Sequence, residues 1–426
     1  MNDTKRLFSN TVIIFVGSTT ASVFSYLFNM LMGRMLGPAQ YGEMAAILSL
    51  LTIVAVGGGV IMTTTMFYSG EMYGLKNFAG IKKLAQIFSK FVFMMSILFF
   101  LIGTILARPI ANFFSIEHVV PVIIAFTSFI FGFAILVNKG ILQGTQRFVA
   151  FSLIGILEMV LRVSLAVIFV KIGLALSGAI AAAVIATALA YLATYWPLSK
   201  LWHNIKAEDT TDFHFDRREV TAYTTPVLIT TLLLAIILNL DVILVKHYFP
   251  TDQAGLYAAV STVGKIILYL TAPIISVMFP MILEKKSRGQ KHFKMLLFSL
   301  GLTVIGAVLI LAVYSAVPDT VIKILYGSSF TKLSYLLPQL GIFILFYTLI
   351  NLLANYYLAV KNFVFLVFML TGLILILTWT AIDHTSITRM IKVFTISDAL
   401  IFAAMIGYYL YDKRRQLAQY LKGKYE

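Results

Sequence analysis

Apolar stretches long enough to cross a bilayer recur along nearly the whole chain, and Lys and Arg crowd into alternate gaps between them. A membrane-spanning helix needs about 20 consecutive apolar residues. Twelve segments meet that length: residues 8–35, 44–69, 88–107, 119–139, 151–170, 174–196, 223–249, 255–283, 295–317, 335–359, 363–382 and 390–411. Apolar residues make up 60% of the chain and charged ones only 12%. A water-soluble domain of that composition cannot cover its own surface, so the bilayer must act as solvent. The predicted class is an all-α integral membrane protein.

The cations orient the bundle. Of the 33 Lys and Arg, 23 fall in the N-terminus and the even-numbered gaps, and 8 on the opposite side. That asymmetry places both termini in the cytoplasm. Most of the +15 net charge is therefore topological, and nucleic-acid binding is the wrong inference from it. The first apolar run continues past signal-peptide length without a small-residue cleavage site, so it reads as an uncleaved span. The chain has no cysteine, which removes disulfides, thiolate metal sites and cysteine nucleophiles. Its six histidines show no HExxH or paired-ligand spacing, so no metal site is expected. The longest gap, residues 197–222, reads as a cytoplasmic linker between two lobes, residues 1–196 and 223–426, the second with a basic cytoplasmic tail. No gap can hold a nucleotide-binding domain and no phosphate-cradling glycine loop occurs, so the chain does not hydrolyse ATP and needs no cofactor.

The halves repeat each other weakly. LMGRMLGPAQYG (31–42) closes the first span and LVKHYFPTDQAGLY (244–257) closes the seventh. Each has a cation near the helix end, a Gly/Pro turn and a Gly/Tyr pair opening the next span. Shared turn chemistry among membrane proteins accounts for part of this match. Six spans per half is an even number, so both halves begin in the cytoplasm. The expected architecture is then two six-helix lobes related by a pseudo-twofold axis along the membrane normal, a geometry that supports alternating access.

Together, LMGRMLGPAQYG (31–42), ILQGTQRF (141–148) and LDVILVKHYFPTDQAGLYA (240–258) resemble the Wzx-type oligosaccharide flippases of bacterial surface-polysaccharide assembly. That family belongs to the multidrug/oligosaccharidyl-lipid/polysaccharide exporter superfamily. The resemblance covers the whole chain in span number, lobe division and loop lengths, and rests on the order of degenerate motifs. It implies transfer of an undecaprenyl-pyrophosphate-linked oligosaccharide from the inner to the outer leaflet of the bacterial plasma membrane. It implies no enzymatic step, and it allows contact with the polysaccharide polymerase machinery. The similar lipid II flippases carry two further spans, absent here. Two rivals are an ion-coupled drug exporter of the same superfamily and a membrane glycan polymerase or ligase. A polymerase or ligase would need a sizeable catalytic loop, which this chain lacks.

Ionisable groups inside spans usually face a protein interior or a water-filled path. Ser18, Ser22, Ser25, Asn29 and Gly33 share one face of the first span, Tyr257, Ser261, Lys265 and Tyr269 one face of the eighth, and Tyr347, Asn351 and Asn355 one face of the tenth. A pyrophosphate removed from bulk water needs cationic partners. Arg34, Lys246 and Lys265 are the candidates for that anion site, with Asn29, Asn351 and Asn355 meeting sugar hydroxyls. Arg34 and Lys246 equally fit as helix-end cations snorkelling to the interface. Glu158 and Arg162, four residues apart, are predicted to form a structural ion pair. Asp241 is a candidate partner for Lys265, and Asp241 and Asp398 are the ion-coupling candidates. The Gly57–Gly58–Gly59 run is read as a site of close helix packing or bending.

Overall fold

A computed structural model describes residues 3–203, 217–287, 290 and 293–422. Every regular element among them is helical. The first half comprises α1 (Asp3–Val54), α2 (Val56–Gly74), α3 (Phe78–Ile105), α4 (Ala107–Phe113), α5 (Val120–Gly144), α6 (Phe148–Phe169) and α7 (Ala175–Trp202). The second comprises α8 (Arg217–Tyr248), α9 (Thr251–Gly264), α10 (Ile266–Ser287), α11 (Phe293–Ala316), α12 (Pro318–Tyr326), α13 (Leu337–Ala359), α14 (Phe365–Ile382) and α15 (Ile387–Lys422). A backbone with no water around it must satisfy its own hydrogen bonds, and helices do so within one segment.

Ten of the described helical stretches are long and apolar enough to cross a membrane. Two of them exceed a single crossing. Val12–Val54 has 43 residues and Phe148–Trp202 has 55. Each breaks at a glycine in the left-handed region, Gly37 (φ 74°) and Gly173 (φ 92°), a conformation that a Cβ would strain. Each break divides its stretch into two helical pieces. The wide apolar faces point outward. Phe91, Phe93, Met94 and Leu98 on α3 are exposed, as are Leu297, Phe298, Ile305 and Leu309 on α11. Apolar patches of this extent on a soluble surface would drive aggregation, whereas here they form the lipid-facing belt.

The chain forms two compact units, residues 1–224 with 250–255, and residues 225–249 with 256–426. The central helix of the first unit is α5, packed against α2, α3 and α7, while α6 packs against α1 and α7. Glycines permit these close approaches. A Cβ on Gly140 would lie 2.7 Å from the Met62 carbonyl oxygen, and one on Gly58 would lie 2.5 Å from Leu136. Of the glycine run, Gly58 alone fits the close-packing reading, since a Cβ on Gly57 or Gly59 would meet nothing within 4 Å. Between α1 and α6, a Cβ on Gly17 would lie 2.4 Å from the Ser152 Cβ. The second unit is centred on α13, the most buried of the crossing stretches, against α10, α11 and α15.

Contacts between helix ends follow the alternation of crossings. In the first unit, Arg147 after α5 donates to the Pro197 carbonyl near the end of α7. In the second, Lys286 at the end of α10 donates to the Val360 carbonyl after α13. Partial burial first, and the neighbouring Lys361 second, hold the Lys286 ammonium below its usual pKa. Tyr248 at the end of α8 stacks on His384 between α14 and α15, with ring centroids 4.1 Å apart. Each pair joins ends that an odd-even alternation puts on one side. Of the expected linker, residues 204–216 lie outside the described residues.

Candidate functional site: two buried ion clusters

In the first unit, charge gathers where α5, α6 and α7 meet. The Lys139 ammonium on α5 lies 2.7 Å from the Glu158 Oε2 on α6. The Thr187 hydroxyl on α7 donates to the other carboxylate oxygen, Oε1, at 2.9 Å. One turn along α6, the Arg162 Nη2 is 3.9 Å from that same oxygen. This is an ion-pair distance beyond hydrogen-bond reach. The predicted Glu158–Arg162 pair is present, but Lys139 holds the shorter contact. Arg162 also stands over the Phe28 ring of α1, 5.9 Å from its centroid, and its Nε is buried without a hydrogen-bond partner. Beside Lys139, the Asn138 amide donates to the Thr194 hydroxyl at 2.6 Å, which fixes α5 against α7.

This cluster borders an open groove of about 260 Å³ lined by Ser22 and Ser25 of α1, Lys139 of α5 and Gly155, Glu158 and Met159 of α6, among others. The serine stripe expected on the first span reaches this groove through Ser22 and Ser25. Asn29, one turn further, is half-buried and donates to the Ser25 carbonyl at 3.0 Å. A Cβ added to Gly155 would meet no atom within 4 Å, so the absent side chain leaves room on the groove side of α6. Two cations face one carboxylate here, so the cluster carries excess positive charge.

The second unit buries its charge around Asp241. Asp241 of α8 is fully buried and lies 3.4 Å from the Lys265 ammonium. It also accepts hydrogen bonds from the Ser261 hydroxyl at 2.6 Å and the Tyr257 hydroxyl at 3.1 Å. The stripe Tyr257, Ser261, Lys265 read from the sequence therefore converges on one carboxylate. Asp398 on α15 is fully buried too, and neither of its carboxylate oxygens has a hydrogen-bond partner. The Asp241 charge acts on it electrostatically.

The remaining sequence candidates are scattered. Arg34 is exposed, and Lys246 is only 1% exposed. Asn351 and Asn355 are half-buried and engage each other, the Asn355 amide donating to the Asn351 side-chain oxygen at 2.9 Å. Of the cavity cations expected from sequence, Lys265 has its charge taken up by Asp241. Sequence reasoning missed Lys139, counted as a cation flanking a span, and Thr187. Both reach Glu158 from other helices, a convergence that spacing along one helix cannot reveal. Among the described residues, no three His, Asp or Glu are grouped to hold a metal ion.

Helices of this length and apolarity, folded with buried ion clusters, define a multi-pass membrane protein of the transporter type. The fold matches solved transporters over nearly the whole chain. An inward-facing multidrug-resistance transporter of the MATE family, in the multidrug/oligosaccharidyl-lipid/polysaccharide exporter superfamily, is 15% identical, with a TM-score of 0.72, covering 93% of this chain and 95% of its own. An outward-facing structure from the same family gives 16% identity and a TM-score of 0.66, with 96% of each chain covered. A transporter of that superfamily from Pyrococcus furiosus, described by the reversed polarity of its binding pocket, gives 15% and 0.64, covering 95% of this chain and 94% of its own. At these identities the likeness establishes the fold. No curated protein sequence matches the chain. The polysaccharide biosynthesis protein family model matches residues 7–286, and the chain belongs to that family. It is a membrane transporter of the flippase type, in agreement with the Wzx resemblance, and its fold is that of transporters rather than of a catalytic family.

Proposed function

We propose that the protein carries an undecaprenyl-pyrophosphate-linked oligosaccharide from the inner to the outer leaflet of a bacterial plasma membrane by alternating access. The observation that carries this reading is the cation excess at the groove of the first unit, in a chain of the polysaccharide biosynthesis family. A buried cation is expensive in a bilayer and is retained where an anion must be met. The asymmetry of Lys and Arg supports cytoplasmic termini, so the lobes 1–196 and 223–426 both start inside and the linker 197–222 is cytoplasmic. Moving an anionic head outward across an inside-negative potential is favoured by about 2.3 kcal/mol per charge per 100 mV. The prenyl tail stays in lipid while the head crosses. Asn29 extends the serine face of α1 toward glycan hydroxyls, and Arg34, Lys246, Lys265, Asn351 and Asn355 remain candidates for contacts elsewhere along the path. Polymerase machinery is a candidate partner on the outer face.

A second reading, an ion-coupled exporter of small cations, draws on the second unit, where Asp241 and Asp398 are both fully buried and interact electrostatically. Reconstituted liposomes separate the two. The expected result is protein-dependent appearance of fluorescent undecaprenyl-pyrophosphate oligosaccharide in the outer leaflet, read by an impermeant quencher. Efflux of a cationic dye without flipping would transfer the assignment to the drug-exporter reading.

A further inference from the structure

The cluster of the first unit has more cation than its own carboxylate can use. Glu158 receives one hydrogen bond from Lys139, one from Thr187, and a longer contact from Arg162. The Arg162 Nη2 stands 3.9 Å from the Glu158 Oε1, beyond hydrogen-bond reach, and its Nε is buried without a partner. A guanidinium carries five N–H donors in a planar fork that suits a phosphate's oxygens. The Glu158 and Lys139 side chains are only 10% and 15% exposed, yet both line the groove. Gly155 holds that groove open one turn from Glu158.

We propose that this cluster is an exchangeable anion site in which Glu158 is a built-in competitor. A phosphate group entering the groove takes the place of the Glu158 carboxylate at Lys139, with the Arg162 charge one turn along α6 as a second attraction. Glu158 keeps its hydrogen bond from Thr187, so it withdraws from Lys139 without losing every partner. When no substrate is present, the carboxylate satisfies Lys139 and prevents a bare cation from facing the membrane interior. The site thus recognises the phosphate of a lipid-linked headgroup, and the inference rests on the flippase reading for the identity of that headgroup.

The test uses the full chain in phosphatidylcholine nanodiscs with radiolabelled farnesyl pyrophosphate as probe and farnesol as its uncharged control. The wild-type protein is expected to bind the pyrophosphate saturably and the alcohol not at all. Lys139→Met weakens binding at least about tenfold, the scale of a lost hydrogen bond to a charged group. Glu158→Gln strengthens it several-fold by removing the competing charge. Gly155→Leu weakens it by filling the groove while the three charged residues stay intact, which guards against a misfolded charge variant. Competition by inorganic pyrophosphate at equal potency assigns recognition to the phosphates alone; failure to compete assigns it to the prenyl-linked headgroup; the site holds in both cases. Weaker binding in Glu158→Gln, wild-type binding in Gly155→Leu, or no binding by the wild type overturns the inference. Flipping in liposomes is scored separately, so a protein that flips but ignores these substitutions loses this site and keeps its function.

Discussion

The two units solve the burial of charge in different ways. The first places two cations around one carboxylate, beside an open groove, and leaves the Arg162 Nε without an acceptor. The second saturates Asp241 with three donors, Lys265 among them, and leaves Asp398 with none. Excess cation beside a groove suits an external anion. An unfilled, fully buried carboxylate has no room for a large ligand and is most cheaply satisfied by a proton or a small cation. The difference fits the proposal of substrate contact at the first cluster and makes Asp398 the residue on which to test ion coupling.

Removing the lysine of each cluster strains this comparison most. Lys265→Met removes the ammonium that pairs with fully buried Asp241. Breaking a buried pair in this way costs about 3–5 kcal/mol. A large fall in thermal unfolding temperature in detergent is expected. Lys139→Met falls short of that loss, because Arg162 still faces Glu158 and Thr187 still donates to it. Binding of a phosphate-bearing lipid runs the other way, lost in Lys139→Met and retained in Lys265→Met. Equal unfolding temperatures, or equal losses of binding, would erase the distinction between the clusters.

The carboxylates of the second unit sharpen it further. Asp241→Asn strands Lys265 and is expected to destabilise the protein, while Asp398→Asn breaks no hydrogen bond of that carboxylate and is expected to change stability much less. If Asp398 serves ion coupling, that variant flips lipid without responding to a pH or sodium gradient. A gradient response unchanged in Asp398→Asn removes the coupling role.

Glycine substitutions probe the first unit at smaller scale. Gly140→Ala drives a Cβ to 2.7 Å from the Met62 carbonyl oxygen, between α2 and α5. Overpacking of this kind costs about 1–3 kcal/mol. Gly155→Ala meets open space and recovers about 0.5–1 kcal/mol of helix propensity. Opposite signs in the two melting temperatures are expected. A loss in Gly155→Ala would mean that the groove wall is already packed.

How much of this was legible in the sequence follows the range of each interaction. Crossings were readable because apolar length is a local property, and the Gly37 and Gly173 breaks sit within or beside the gaps placed between spans. The Glu158–Arg162 pair was readable because one helix brings residues four apart together. Asp241 with Lys265 was anticipated because adjacent spans place them near each other. Lys139 escaped because its partner lies on another helix and the cation sits where a span was expected to end. Its long aliphatic stem carries the charge inward to Glu158. The isolation of Asp398 was visible only as the absence of a sequence partner, and burial gives that absence its meaning.

The smallest effect is expected where charge meets water. In the turn between α14 and α15, the Asp383 carboxylate accepts from the Thr385 hydroxyl at 3.0 Å and pairs with the Arg389 guanidinium at 3.3 Å. Slight desolvation works to raise its pKa, but the hydrogen bonds from Thr385 and the Arg389 charge outweigh it and hold the carboxyl below its usual value. A depressed carboxyl stabilises the folded state above its unfolded pKa, and that stabilisation disappears as pH falls through the lower folded value. Asp383→Asn therefore removes a contribution present at neutral pH and absent in strong acid. The group is fully exposed and screened, so the expected shift in unfolding temperature at pH 7 is close to the error of measurement. Its pH profile should begin to converge on the wild type below about pH 4, the ordinary aspartate range, and complete the convergence in stronger acid. A neutral-pH loss comparable to that of Lys265→Met would show that this turn, where His384 stacks on Tyr248, anchors the second unit as firmly as its buried ion pair.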